Sequence, residues 1–230
     1  MSGLTPFELD ALWLSLKVAL RAVAFGLPPA IAIAWALARW EFPGKILVDA
    51  VVHLPLVLPP VVVGYLLLIL FGARGPIGGF LQEWFGIRLV FTLAGASLAS
   101  AVMAFPLIVR AVRLSIEAND PGLEQAARTL GAGALDRFFT VVLPLMLPGI
   151  LSGGIVAFAA SLGEFGAVIT FASNVPGQTQ TLPLAIYSAL QMPGGEAAAA
   201  RLAGLSFTLA LIGLVLSETL ARRVRRGVGR

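Results

Sequence analysis

The chain has 230 residues, 58% of them hydrophobic and only 12% charged. Soluble domains carry roughly 25% charged residues, so too little polar surface remains for a water-facing shell, and lipid must cover much of this protein. The balance is basic, with sixteen Lys and Arg against twelve Asp and Glu, and there is no cysteine and a single histidine, His53; disulfides, cysteine-ligated metals and cysteine nucleophiles are excluded.

Residues 1–10 hold Glu8 and Asp10 but no basic residue, unlike the start of a cleavable signal peptide. The apolar segment that follows is longer than a signal core and is expected to be retained. Crossing a hydrocarbon core of about 30 Å takes ~20 residues of helix. Five stretches reach that length, near 12–38, 46–71, 89–113, 139–163 and 197–221. Lys17 and Arg21 interrupt the first close to its start, where such cations snorkel to the interface. No internal repeat or linker divides the chain, so 1–230 reads as one all-α integral membrane domain.

Short cytoplasmic loops retain Lys and Arg. One side collects Arg39, Lys45, Arg110, Arg113, Arg128 and Arg137, with Arg222, Arg223, Arg225, Arg226 and Arg230 in the tail. The other has only Arg74, Arg88 and Arg201. Eleven against three predicts the N-terminus outside, the C-terminus inside, and five crossings.

Proline recurs within the spans, at Pro28, Pro29, Pro55, Pro59, Pro60, Pro106, Pro144 and Pro148. Each removes a backbone donor and kinks a helix, and the freed carbonyls need partners inside the protein or water. Kinked, closely packed helices around a wet path suit a transporter better than an anchor. Gly149, Gly153 and Ala157 recur at four-residue spacing; they form either a close helix contact or a by-product of abundant Gly and Ala. Segment 164–196 contains no Lys or Arg and only two short apolar runs, and reads as a re-entrant or interfacial piece on the outer side.

The loop between the third and fourth spans, 119–137, is the most informative stretch. Asp120 can cap a helix that Pro121 initiates. Leu123, Ala127 and Leu130 share a face, and Gly131 can end the helix. So short a helix is marginal alone and needs something to dock against.

Gln125-Ala126-Ala127, three residues, Gly131, nine residues, Val141, one residue and Leu143-Pro144 resemble the Glu-Ala-Ala loop signature of ABC-importer permeases. Both gaps agree in length; Gln125 replaces the usual Glu, with Glu124 one residue earlier, and Val141 the usual Ile. Phe42–Lys45, His53–Tyr65, Leu123–Ala132, Ser161–Ala167 and Met192–Glu196 extend the resemblance to the molybdate-importer permease family. That resemblance implies a type I ABC importer fold, a homodimer in the bacterial inner membrane, two cytoplasmic ATP-binding subunits and a periplasmic oxyanion-binding protein. It assigns Glu124, Gln125, Ala126, Ala127, Leu130, Gly131, Leu143 and Pro144 to coupling with the ATPase, within a coupling helix over 121–137. It places Ser161, Glu164, Phe165 and Gly166 near the gate of the pathway; a headgroup-level acid is the other reading of Glu164. Sulfate and tungstate permeases are close relatives, so the substrate stays open among these oxyanions.

Rival readings come from other classes. An intramembrane hydrolase needs a paired metal site or an activated nucleophile, and His53, followed by Leu54-Pro55, has no His partner; it is expected to be structural, interfacial or on the pathway. An ion-driven secondary transporter usually carries paired intramembrane acids, whereas Glu164 and Glu218 lie near opposite ends of their spans. Gly44-Lys45 precedes Ile46 and lacks the earlier glycine of a phosphate-binding loop. ATP hydrolysis is therefore expected on a separate chain, and no catalytic residue, metal or cofactor site is expected in this one.

Overall fold

The computed structural model describes residues 4–118 and 121–228. Eleven helices follow in order among them: α1 (Pro6–Arg39), α2 (Lys45–Val57), α3 (Pro60–Phe71), α4 (Pro76–Phe85), α5 (Leu93–Glu117), α6 (Pro121–Thr129), α7 (Ala134–Arg137), α8 (Leu143–Leu162), α9 (Gly166–Ala172), α10 (Leu182–Leu190) and α11 (Glu196–Val228). A π-helical turn, Phe138–Val142, joins α7 to α8. Asp120, expected to cap α6, lies outside the described residues.

Four helical stretches, Pro6–Arg39, Leu93–Glu117, Ala134–Leu162 and Glu196–Val215, are long and apolar enough to cross a membrane. The stretch expected as one continuous span over 46–71 is instead two helices, α2 and α3, bent by 118°. The cause is local. Proline disfavours helical backbone in the residue before it, and two successive prolines do so twice: Leu58 sits at ψ 144° and Pro59 at ψ 135°. The prolines at 28, 29, 106 and 148, by contrast, leave α1, α5 and α8 unbroken.

The start of α1 is set by a reciprocal cap. The Glu8 amide donates to Thr5 Oγ1 at 3.3 Å and the Thr5 amide donates to Glu8 Oε2 at 2.8 Å. Beginning at Pro6, α1 puts Arg21 well inside the helix rather than close to its start. Lys17 lies over the Trp13 ring at 5.1 Å, while Arg21 lines a cavity of about 870 Å³ whose other walls, from α1, α2, α5, Phe71 of α3 and Leu89, are almost wholly apolar.

Helix α5 is the axis of the bundle, packed against α1, α8 and α9. Lipid offers no hydrophobic drive for helix association, so small residues that permit close backbones carry it. A Cβ on Gly149 would meet Ser115 Cβ at 2.5 Å and the Ala111 carbonyl at 2.7 Å; one on Gly153 would meet Ala111 Cβ at 3.1 Å. Gly149, Gly153 and Ala157 are all buried, so their repeat is a true contact seam against α5. A second core joins Val18, Val63, Leu67, Ala99, Val168 and Phe171 from α1, α3, α5 and α9.

Candidate coupling segment and gate

Helix α6 ends in a left-handed cap that its sequence dictates. Gly131 has φ +87°, its amide donates to the Arg128 carbonyl, and the Ala132 amide donates to the Ala127 carbonyl, both at 3.1 Å. This is the Schellman pattern. Arg137 Nη1 donates to the Ala132 carbonyl at 3.2 Å and steadies the turn. The helix expected over 121–137 is thus two helices, α6 and α7, because an L-residue backbone cannot continue helically through the Gly131 conformation.

Leu123 is 50% and Leu130 88% exposed, and Ala127 between them is half-buried. Gln125 and Ala126 are exposed as well. No described element of the chain covers these leucines, whereas Glu124 turns inward and lies 3.7 Å from Arg39 Nη2 at the end of α1. Leu123 and Glu124 border a small crevice shared with Ile116, Val141 and Leu145. Leu143 and Pro144, half-buried, form the first turn of α8 directly after the π-helical turn.

At the other end of α8 lie the four residues expected at a gate. Ser161 is buried, and among the described residues its hydroxyl has no hydrogen-bond partner. Glu164, half-buried, is not an unpartnered acid: its Oε1 accepts from the Ala167 amide at 2.8 Å and so caps α9. The Phe165 ring lies 5.3 Å from Tyr187. Gly166 meets the bend in the α2–α3 pair, since a Cβ there would fall 2.7 Å from Pro60 Cβ. One turn along, a Cβ on Gly64 would fall 2.8 Å from the Ala167 carbonyl. Two stretches singled out separately in the sequence, His53–Tyr65 and Ser161–Ala167, therefore form one junction.

Sequence reasoning missed two polar assemblies. Asn174 Nδ2 donates to Ser188 Oγ at 2.7 Å and Gln180 Nε2 to Asn174 Oδ1 at 2.9 Å, ordering the loop between α9 and α10. Asp49 of α2 accepts from Arg113 Nη1 of α5 at 2.9 Å, and Arg113 Nε donates to Glu117 Oε1 at 2.7 Å. His53 Nδ1 lies 2.9 Å from the Asp49 carbonyl and acts as donor there, because a carbonyl only accepts. The four-residue spacing of Asp49 and His53 was the available signal. Among the described residues no group of acidic and His side chains could hold a metal ion.

The chain is 60% identical to the molybdenum transport system permease protein ModB of Escherichia coli (strain K12), over 99% of both chains. It is 40% identical to the sulfate transport system permease protein CysT of Salmonella typhimurium, over 85% of this chain and 70% of that one. Its fold matches that of a chain in a bacterial alginate ABC transporter with a TM-score of 0.76 at 17% identity, covering 96% of this chain and 80% of the other. Residues 26–226 match the family described as binding-protein-dependent transport system inner membrane component. The chain belongs to that family and is an inner-membrane transport protein of the ABC importer permease fold.

Proposed function

We propose that this chain is the permease subunit through which an ATP-driven importer moves molybdate across the bacterial inner membrane. It works as a homodimer with two cytoplasmic ATP-binding subunits and a periplasmic oxyanion-binding protein. The observation that carries this reading is the uncovered apolar face of α6, held between two membrane spans in the Gln125–Pro144 spacing. Molybdate is favoured over sulfate by the 60% against 40% identity to the respective permeases. An ion-driven secondary transporter is not favoured, since the family works with a binding protein.

In this reading the N-terminus is outside and the C-terminus inside, with the bent α2–α3 pair counted as one crossing. ATP closes the partner subunits and α6 moves with them. Helix α8 carries the motion along its length, because it begins at the π-helical turn beside α6–α7 and ends at the Ser161–Gly166 junction. Unit shifts of a packed helix of this kind are an established switching device. The oxyanion released at the outer mouth passes without a tight site, which would slow its release.

The test is uptake into proteoliposomes containing the chain, its ATPase and the loaded binding protein. ATP-dependent accumulation of molybdate, outcompeted by tungstate more than by sulfate, is the expected result. Accumulation driven by an ion gradient without ATP would overturn it.

A further inference from the structure

The α2–α3 pair is fastened at two places of very different character. At α3, Gly64 and Gly166 bring backbones into contact that leave no room for a Cβ. At α2, only Val52 is buried, and Ile46, Leu47, Val51 and Val57 are exposed. What remains is the ion pair from Asp49 Oδ2 to Arg113 Nη1 at 2.9 Å, in which the side chains stay 36% and 27% exposed. Asp49 Oδ1 is buried, but both side chains keep part of their surface exposed, so parting them costs less than breaking a fully buried pair. Between the two fastenings lies the 118° bend, whose residues are held extended by Pro59 and Pro60.

We propose that Asp49 and Arg113 form a state-dependent latch: it holds α2 against α5 in the conformation described here and opens when α2 swings about the Leu58–Pro59 bend during transport. Arg113 is the positioning residue, kept in place by Glu117 one turn further on, in the last turn of α5 before α6. His53 donates to the Asp49 carbonyl, and its Nδ1 lies 3.1 Å from Asp49 Oδ1, one turn along α2. The latch thus joins the helix that leads into α6 to the helix pair that reaches the Gly166 junction. This inference rests on the permease reading above.

Because the chain contains no cysteine, a pair of introduced cysteines reports without background. Val48→Cys and Leu114→Cys, both at exposed positions beside the latch, leave the ion pair intact. Cross-linking by a short bifunctional thiol reagent is measured in the complex reconstituted with ATPase and binding protein, resting and vanadate-trapped. The yield should differ between the two states by about fivefold or more, the lower end of ordinary allosteric couplings. An added Asp49→Asn should abolish that difference and raise ATP hydrolysis in the absence of loaded binding protein. Equal yields in the two states with the native pair overturn the latch, as does an Asp49→Asn complex whose stimulation by binding protein matches wild type. Wild-type complex that loaded binding protein fails to stimulate overturns instead the permease reading on which the latch rests.

Discussion

The α5–α8 seam and helix α6 are both built from small and aliphatic residues, yet they end in opposite states. In the seam, Gly149 is buried against Ser115 and Ala111, Gly153 against Ala111 and Ile108, Ala157 is buried one turn on, and Ser115 Oγ donates to the Leu145 carbonyl at 3.1 Å. In α6, Leu123 and Leu130 face outward, and among the described residues Glu124 is tied by charge to Arg39. A nine-residue helix gains little from its own hydrogen bonds. The seam finds its partners within the chain; α6 presents an apolar face that no described element covers, the face we propose the ATPase docks on. The difference teaches that composition alone does not assign a helix its role, and that the location of the missing surface does.

Substitutions sharpen the contrast. Gly149→Leu should have the largest effect, because its Cβ alone would overlap Ser115 and the Ala111 carbonyl. Overpacking costs ~1–3 kcal/mol or more, so the yield of monodisperse protein in detergent should fall sharply; unchanged yield and thermal stability would break the seam. Ala127→Glu and Gly131→Asp should leave membrane insertion intact. Each should weaken capture of the ATPase and loaded-protein-stimulated hydrolysis by roughly tenfold or more, since an unpaired charge in a docked interface costs several kcal/mol. Wild-type coupling in both would defeat the assignment of α6.

Glu164→Gln should act more mildly. The amide oxygen still accepts from the Ala167 amide, and losing one charge-assisted bond, about 1 kcal/mol, corresponds to roughly fivefold in an equilibrium. Transport should fall by about that factor while the complex assembles; transport at wild-type rate would return Glu164 to a purely structural cap. The smallest effect belongs to Arg39→Ala. A partly exposed pair at 3.7 Å is worth ~0–1 kcal/mol, so stimulated hydrolysis should change less than about twofold.

The long spans were legible because length and hydropathy are local properties, and Pro121, Leu123 and Gly131 signalled a short helix for the same reason. Pro59-Pro60 announced an interruption, but the 118° bend depends on how α3 packs against α9. Helix α4 carried its signals too, Pro76 at its first turn and Gly86 at φ +65° after its end, but ten residues are too few to register as a span. The Asp49–Arg113 pair joins residues 64 apart in sequence, and no local pattern records such a contact. Glu164 was legible as a singular acid; its service as a cap was not, because the residue at the cap position itself, Phe165, has no side-chain acceptor.

Leu130→Cys offers the most direct test of the central claim, that α6 is a cytoplasmic docking helix for a separate ATPase. The position is 88% exposed and would carry the sole thiol of the chain. In sealed membranes a membrane-impermeant maleimide should reach it only from the cytoplasmic side when the ATPase has been stripped away, and should be blocked once the ATPase is restored. Labelling from the periplasmic side, or labelling indifferent to the ATPase, would contradict the account.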